Sequence, residues 1–296
     1  MAPSRLAFIG FGEVGSLFAR DLLAVGHAEI TAFDPAFADP SSRPSRNLRE
    51  RAVTRAASAG EAALGAELVF CCVTAGSALD AARAAAPGLA RGAFFLDVNS
   101  VSPGTKREAA AIVQQAGGRY VEAAVMTSVP PHGIRAPMLL GGPQAEAFMP
   151  LAEALGLRAQ VFSAELGRAS AVKMCRSIMV KGLEALVTEC MLASRRYGVE
   201  QEVLASLADT LPHKDWPGLA RYTMSRALIH GKRRAEEVRE VVRTIEEAGL
   251  GAMQSPATAL RQDWAAEVGR GLPPDVLGGG DLLTLLDAVL AAAGPD

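Results

Sequence analysis

The chain has 296 residues, half of them hydrophobic, which is enough for one large domain or two domains of ordinary size. Its 30 basic and 32 acidic side chains give a formal net charge of −2. This balance lacks the excess of basic residues that binding to nucleic acids or anionic membranes requires, so we expect neither as a partner.

The most apolar long stretch, Ala169–Ala193, is interrupted by five charged residues, so it predicts a buried helix and argues against a membrane span. The first predicted strand begins at Leu6, and nothing before it resembles a signal peptide. The four cysteines lack the spacing of metal ligands and are expected to be small buried residues in a reducing compartment. We therefore expect a cytoplasmic protein without a metal site.

The N-terminal stretch FIGFGEVG is a glycine-rich turn between two predicted elements. The apolar run Leu6–Ile9 predicts a buried strand, and helical spacing of apolar residues follows over Val14–Leu23. A second strand, Glu29–Phe33, ends at Asp34, which lies 24 positions after Gly10. The order of strand, glycine loop, helix, strand and acid predicts a dinucleotide site. A glycine-rich turn in another α/β protein, such as a methyltransferase, is the alternative at this point.

Each glycine of this turn has a physical role in the prediction. Gly10 permits the tight turn, Gly12 lets the backbone approach a pyrophosphate, and Gly15 lets the helix pack closely on the strand. Asp34 favours NAD because its carboxylate would repel a 2′-phosphate. Arg43 and Arg46 in the following loop are the residues that could reverse this preference towards NADP. The predicted cofactor contacts are Gly10, Phe11, Gly12, Glu13, Val14, Gly15, Asp34, Thr74 and Ala75.

The rest of the N-terminal half alternates between predicted strands and helices. Strands are expected near Val53 and over Glu67–Thr74, Ala93–Ser100, Tyr120–Met126 and Ala136–Gly142, and helices over Ser58–Leu64, Ser77–Ala86 and Pro103–Gln115. The Pro- and Ser-rich residues 35–47 are expected to form a loop. This alternation predicts a doubly wound, mainly parallel sheet of the Rossmann type.

After about Val161 the patterns are helical. Helices are expected over Ala169–Ala193 and Arg233–Ala248, from an N-cap at Ser255, and over Asp281–Ala293, with a linker at GLPPDVLGGG. The predicted fold class is therefore an α/β domain with a Rossmann-type doubly wound sheet, followed by an all-α domain. We place the dinucleotide-binding domain at residues 1–163 and a helical domain for substrate binding and dimerisation at 164–296.

Polar residues follow three of the predicted strands at their carboxyl ends, where open α/β sheets bind their ligands. They are Thr74 with the adjacent Ala75, Asn99 with Ser100, and Thr127 with Ser128. Each of them alone is more often a turn residue. Their occurrence at three strand ends predicts a common ligand-binding edge.

Lys173 and Ser177 are four positions apart on the apolar predicted helix, so they share one face. A lysine there is costly to bury unless it has a partner or a function. Desolvation also lowers the pKa of a lysine towards neutrality, which suits proton exchange with a hydroxyl group. The alternative is a structural lysine that pairs with a carboxylate.

The chain resembles the beta-hydroxyacid dehydrogenase family, the 6-phosphogluconate dehydrogenase-like enzymes. FIGFGEVG matches the N-terminal motif of that family, DVNSVSP resembles its substrate-binding stretch D-x-S-T-x-x-P, and GRASAVKMCRS resembles its catalytic motif G-x-x-x-x-x-K-x-x-x-N. The C-terminal stretches KGLEAL, HGKRRAEE and GAMQSPAT resemble the branch with a phosphogluconate dehydrogenase C-terminal domain.

The resemblance implies a role for particular residues. Lys173 falls on the catalytic lysine, and Ser100, with Asn99 beside it, on a substrate-contacting position. Two departures lie at substrate contacts, because Ser177 replaces the family asparagine and MTSVPPHG replaces the usual S-G-G. The implied substrate-binding residues are Asn99, Ser100, Thr127, Ser128 and Ser177.

We therefore expect an NAD(P)-dependent oxidoreductase that transfers a hydride between nicotinamide and a small hydroxy acid or a related alcohol or carbonyl compound, with Lys173 as general acid and base. An imine reductase of the same architecture and a non-catalytic nucleotide-binding regulator are the alternatives. The expected cofactor is NAD or NADP, with NAD favoured. The expected partners are a small anionic substrate and a second copy of the chain, since the apolar helix predicts a homodimer.

Overall fold

The computed structural model describes residues 5–26, 29–211 and 213–294. The chain divides into two compact units, Met1–Cys175 and Arg176–Asp296. The expectation that no signal peptide precedes the first strand falls mainly on residues 1–4, and these lie outside the described residues. None of the described helices is both long and apolar enough to cross a membrane.

Unit 1, the first of these, is built on a single eight-stranded sheet. Its strands are β1 (Arg5–Ile9), β2 (Glu29–Phe33), β3 (Thr54–Arg55), β4 (Leu68–Cys71), β5 (Phe94–Asp97), β6 (Arg119–Val125), β7 (Met138–Gly141) and β8 (Ala159–Ser163). They lie in the order β3-β2-β1-β4-β5-β6-β7-β8, and all neighbours are parallel except β6 and β7. The prediction of a mainly parallel sheet is confirmed.

Helices cover both faces of this sheet. They are α1 (Glu13–Ala24), α2 (Arg43–Arg49), α3 (Ala59–Ala63), α4 (Ala78–Ala85), α5 (Pro103–Gln115), α6 (Val129–His132) and α7 (Ala145–Ala154). Successive residues of β1 point to opposite faces, so Phe8 packs with Phe18 of α1 in one core, whereas Ile9 joins Val113 of α5 in the other. This two-sided burial explains why the parallel strands are continuous apolar runs.

Three details of unit 1 differ from the sequence-based prediction. Residues 35–47 are not a loop, because Pro35–Ala38 forms a 3-10 helix and α2 begins after Ser42, whose Oγ accepts a hydrogen bond from Ser45 N at 3.2 Å. Capping by short polar side chains explains why a Ser- and Pro-rich stretch becomes helical here. Strand β8 and helix α7 were not predicted, and both lie in the last part of unit 1.

Unit 2 is helical. Helix α8 (Arg168–Tyr197) begins in unit 1 and is followed by α9 (Glu200–Thr210), α10 (Trp216–Glu247), α11 (Gln254–Arg270), α12 (Pro274–Gly278) and α13 (Leu282–Ala293). The core of unit 2 includes Met191, Trp216, Met224 and Leu285. The observed architecture, a mostly parallel sheet with helices followed by an all-helical region, confirms the predicted fold class, whereas the proposed boundary between residues 163 and 164 stays a prediction.

Four expectations for the helical region are wrong. Helix α10 begins at Trp216, seventeen residues before the predicted start at Arg233, and Ser255 lies in the first turn of α11 because the N-cap is Met253. The stretch GLPPDVLGGG is not only a linker, since α12 forms within it. Of the cysteines expected to be buried, Cys175 and Cys190 are exposed on α8.

Candidate active site

The glycine-rich turn between β1 and α1 is shaped by close backbone packing. Gly10 has φ of +91°, and a Cβ there would lie 2.4 Å from Cys72 O. A Cβ on Gly15 would lie 2.2 Å from Gly10 O, so neither position tolerates a side chain. A Cβ built on Gly12, in contrast, meets nothing within 4 Å, which leaves the backbone there accessible.

The amino end of α1 lies directly after this accessible backbone. Gly12 is the N-cap and supplies no side chain to the first N–H groups of the helix, so these donors are available to an anion. A bare helix N-terminus beside a glycine with open space in front of it fits the pyrophosphate of a dinucleotide. The predicted contacts Phe11, Glu13 and Val14 lie in this same turn.

Asp34 lies at the carboxyl end of β2 and is half-buried. Its Oδ2 accepts a hydrogen bond from Phe11 N at 2.8 Å, and its Oδ1 accepts one from Ala36 N at 2.9 Å. The carboxylate is thereby fixed beside the glycine turn, where the hydroxyls of an adenosine ribose would bind.

Helix α2 contributes a residue to this region that the sequence analysis missed. The amide of Asn47 donates from Nδ2 to Phe11 O at 3.3 Å and to Gly12 O at 3.2 Å. Arg43 lies 3.6 Å from Glu13 Oε2, and Arg46 donates to Ser41 O. If residues 43–49 are recognised as a helix, Asn47 can be predicted as a polar side chain that faces the glycine-rich turn.

Asn99 bridges the carboxyl ends of β4 and β5. Its Oδ1 accepts from Val73 N at 2.8 Å, and its Nδ2 donates to Cys71 Sγ at 3.2 Å. Asn99 is buried, Ser100 is half-buried, Thr74 is exposed and Ala75 is buried. The predicted residues after β4 and β5 therefore share one edge of the sheet with Gly10, because β1, β4 and β5 are parallel.

A buried polar network beneath Asn99 was also missed. Asp97 Oδ1 accepts from Asn99 N at 2.9 Å and lies 3.0 Å from Lys106 Nζ, while Oδ2 accepts from Tyr120 OH at 2.7 Å. Burial, followed by the nearby Asp97, raises the pKa of Tyr120 well above its usual range, and burial likewise raises that of Cys71. Both groups thus stay protonated, and the network holds Asn99 rigidly.

The residues after β6 reach the same edge. Thr127 and Ser128 are exposed, and Ser128 precedes the short helix α6. Farther along this segment, Ile134 N donates to Asp21 Oδ2 at 2.9 Å, which ties the segment to α1. The structure therefore brings the predicted polar residues of three strand ends to the edge that carries the glycine turn.

Glu122 anchors the helix that carries Lys173. This carboxylate is fully buried in β6, and it accepts hydrogen bonds from Ser170 N at 2.9 Å and from Gly167 N. Both donors lie at the amino end of α8. Gly141 leaves room for the carboxylate, since a Cβ there would lie 2.8 Å from Glu122 Cδ.

The amino end of α8 also lies against the substrate-like stretch DVNSVSP. A Cβ on Gly167 would lie 2.9 Å from Pro103 Cβ, so α8 begins beside the first turn of α5. Lys173, in the second turn of α8, is half-buried. Unit 1 therefore holds the glycine turn, the DVNSVSP stretch and the start of the lysine-bearing helix around one sheet.

Ser177 and its neighbours belong to unit 2. Ser177 is buried, and its Oγ accepts from Lys181 Nζ at 3.1 Å. The same Nζ lies 2.8 Å from Glu237 Oε2. The hydroxyl that replaces the family asparagine is thus held by a buried ion pair. No group of three potential metal ligands occurs in the part of the chain that the structure describes.

Comparison with known proteins identifies the family. The family model described as the NAD binding domain of 6-phosphogluconate dehydrogenase matches residues 5–164, more than half of the chain. A second model, a domain of unknown function, matches residues 194–265.

Three similar proteins illustrate the relationship. The crystal structure of a conserved hypothetical protein from Sinorhizobium meliloti 1021 is 34% identical, covers 97% of each chain and has a TM-score of 0.70. A conserved protein of unknown function, described as structurally similar to 3-hydroxyacid dehydrogenases, is 31% identical over 90% of this chain and 98% of that one, with a TM-score of 0.66. The 3-hydroxyisobutyrate dehydrogenase of Pseudomonas aeruginosa is 28% identical over 221 residues, 71% of each protein.

The family match agrees with the geometry, because the matched range contains the glycine turn, Asp34, the Asn99 edge and Glu122. The expectation of an enzyme of the NAD(P)-dependent dehydrogenase and reductase class is confirmed at the level of the family. The chain belongs to the beta-hydroxyacid dehydrogenase family, with the NAD-binding domain of the 6-phosphogluconate dehydrogenase type.

Proposed function

We propose that the protein is a dehydrogenase that interconverts a small, anionic hydroxy acid and its carbonyl form, with NAD as the preferred cofactor. The observation that carries the proposal is the open backbone at Gly12 on the same sheet edge as the polar residues of the DVNSVSP stretch. The name of the Pseudomonas aeruginosa relative, a dehydrogenase of 3-hydroxyisobutyrate, supports a hydroxy acid as the substrate class.

The cofactor side is assigned to the residues of the glycine turn. When bound, the nicotinamide cofactor accepts or supplies the hydride. The N–H groups at the start of α1 hold its pyrophosphate, and Asp34 accepts the ribose hydroxyls. Thr74 and Ala75 line the edge farther along. NAD is preferred because a 2′-phosphate would meet the Asp34 carboxylate.

The substrate side is assigned to Lys173 and the strand ends. Ser100, Asn99, Thr127 and Ser128 orient the acid group of the substrate. Lys173 removes the proton from the substrate hydroxyl during oxidation and returns it during reduction. Holding the substrate in the reactive geometry beside the cofactor and Lys173 removes up to about 7–11 kcal/mol of the activation barrier. Ser177 contributes at most one hydrogen bond to the substrate, since Lys181 already holds its hydroxyl.

The proposed active form is a homodimer in the cytoplasm. Its support is a row of exposed apolar side chains on α8, where Met179 is 74% and Leu186 is 57% exposed and Leu183 lies between them. Their spacing of four and three residues places them on one helix face, which suits a second copy of the chain.

A substrate screen tests the proposed function. The purified protein is mixed with NAD or NADP and a panel of small hydroxy acids, and with NADH or NADPH and the matching aldehydes, ketones and cyclic imines, while absorbance of the reduced nicotinamide is followed. We expect turnover with a hydroxy acid and NAD. Turnover of imines alone would identify an imine reductase, and cofactor binding without any turnover would identify a regulator.

A further inference from the structure

One face of α10 gathers cationic side chains in unit 2. Arg226, His230 and Arg234 follow one another at intervals of four residues, so their side chains form a continuous stripe. Arg234 is buried, and Arg226 and His230 are half-buried. The stripe belongs to unit 2, whereas the glycine turn belongs to unit 1.

Two carboxylates neutralise only part of the charge around the stripe. Glu237 pairs with Lys181 Nζ at 2.8 Å and with Arg233 Nη1 at 2.6 Å. Glu184 pairs with Arg234 Nη1 at 2.8 Å. Three cations thus share two carboxylates before Arg226 is considered.

Arg226 adds a fourth positive charge without an ion pair. Among the described residues its hydrogen-bond contact is with His230, at 2.9 Å from Nη1 to Nε2, and no carboxylate lies within ion-pair distance of it. The Nε atoms of Arg226 and Arg234 are buried, and neither has a hydrogen-bond partner in the described structure. Within the described structure Glu236, nearby on the same helix, pairs with neither arginine, and its own Oε2 is buried without a hydrogen-bond partner. Buried guanidinium donors without acceptors are costly, which indicates a missing acceptor.

His230 completes the set of donors. Burial, followed by the charges of Arg226, Arg233 and Arg234, lowers the pKa of His230 to about 4. The ring is therefore neutral at pH 7. Because Nε2 accepts from Arg226, the proton resides on Nδ1, which is a further donor.

We propose that Arg226, His230 and Arg234 bind an oxyanion, a carboxylate or a phosphate group, on this face of α10. The planar guanidinium groups match the geometry of such an anion, and its negative charge offsets the unpaired charge of Arg226. All three residues belong to unit 2, and the proposal depends only on the contacts described above. A negative result here would therefore leave the proposed dehydrogenase activity untouched.

Inorganic phosphate and acetate are the probes for the full-length protein. Each is titrated at constant ionic strength, balanced with sodium chloride, while the melting temperature and the heat of binding are measured. We expect a saturable rise in melting temperature with at least one of the two, because a ligand that binds only the native state stabilises it. The more effective probe then distinguishes a phosphate site from a carboxylate site.

Two variants separate this site from general charge effects. Arg226→Gln removes a cation without leaving a carboxylate unpaired, and Lys232→Gln removes an exposed cation from the same helix. We expect Arg226→Gln to weaken binding of the effective probe about tenfold or more, whereas Lys232→Gln leaves it unchanged. If Arg226→Gln does not fold, Arg226→Lys is used in its place. This variant keeps the positive charge but lacks the planar guanidinium group that binds an oxyanion through two hydrogen bonds, so it should also weaken binding.

Two results would overturn the site. One is that phosphate and acetate raise the melting temperature of the protein no more than chloride does. The other is that the Arg226 variants and Lys232→Gln bind the probe equally well. Binding would then depend on the overall charge of the helix and not on a specific site.

Discussion

Asp34 holds the glycine turn through Oδ2, which accepts from Phe11 N, and caps the following 3-10 helix through Oδ1, so its role in cofactor choice and its role in the local structure are coupled. Asp34→Asn keeps the shape of the side chain and removes its charge. We expect NAD to bind about tenfold more weakly and NADP to gain in relative affinity. Calorimetric titration of both cofactors into the wild type and the variant measures the ratio. Tighter binding of NADP than of NAD to the wild type would instead mean that Arg43 or Arg46 determines the cofactor preference.

Gly10 has no room for a side chain and also has a backbone conformation that favours glycine. Its φ of +91° and the approach of Cys72 O exclude a Cβ, so Gly10→Ala should lower the free energy of unfolding by roughly 2–5 kcal/mol. Denaturant unfolding measures this loss. Gly26→Ala is a matched control, because it also has positive φ, at +94°, but has open space around it. An equal loss in the two variants would mean that backbone strain, and not the close approach, restricts Gly10.

The polar residues of the site differ in how far the sequence predicts them. The glycine turn and Asp34 follow from local spacing, because strand, turn and helix are consecutive in the chain. Asn47 and Glu122 act on backbone atoms 35 and 45 positions away, in other elements of unit 1. Sequence patterns do not report such contacts, and this is why only the structure identifies these two residues.

At the scale of elements, Glu122 connects strand β6 to helix α8. Glu122→Gln retains one acceptor but presents an amide donor to the other backbone N–H, a mismatch that costs about 1–3 kcal/mol. A shift of about 1 Å in a catalytic group reduces turnover about 100-fold. We therefore expect kcat to fall by up to about that factor and its pH profile to change, while NAD affinity is kept.

The comparison for Glu122 is Glu153→Gln, an exposed carboxylate in α7 that should leave kcat unchanged. Steady-state rates, cofactor titration and melting temperature are measured for both variants. A lower melting temperature with unchanged kcat and an unchanged pH profile would show that Glu122 stabilises unit 1 without positioning Lys173.

The element boundaries show where local patterns are sufficient. Helix α5 begins at Pro103 as predicted, because Ser102 accepts from Thr105 N and proline suits the first turn. Helix α2 and the 3-10 helix Pro35–Ala38 were missed because their Ser and Pro residues suggest a loop unless Ser42 and Asp34 are recognised as their respective N-caps. Helix α10 starts early because Asp215 caps it and Trp216 packs in the core of unit 2, a tertiary contact that periodicity does not show.

At the scale of the whole molecule, the exposed apolar row on α8 predicts a dimer. Leu186→Asp places a charge on this row, and two-fold symmetry introduces it twice into the interface. We expect the variant to be monomeric by light scattering at concentrations at which the wild type is dimeric. Leu64→Asp, at an exposed leucine of unit 1, should leave the mass unchanged. A wild-type protein that stays monomeric at every concentration would contradict the dimer.

Lys173 is the residue proposed to transfer the proton of the reaction. Lys173→Met keeps the length and the apolar stem of the side chain, so turnover should fall about 10²–10⁴-fold while NAD affinity stays close to that of the wild type. Ser177→Ala is the comparison on the same helix, and loss of one hydrogen bond, about 0.5–1.5 kcal/mol, should reduce turnover by no more than about tenfold. The decisive measurement is kcat of the two variants on one substrate, with NAD affinity determined in parallel. A large loss for Lys173→Met with unchanged NAD binding supports proton transfer by Lys173, and near-normal turnover of Lys173→Met would contradict it.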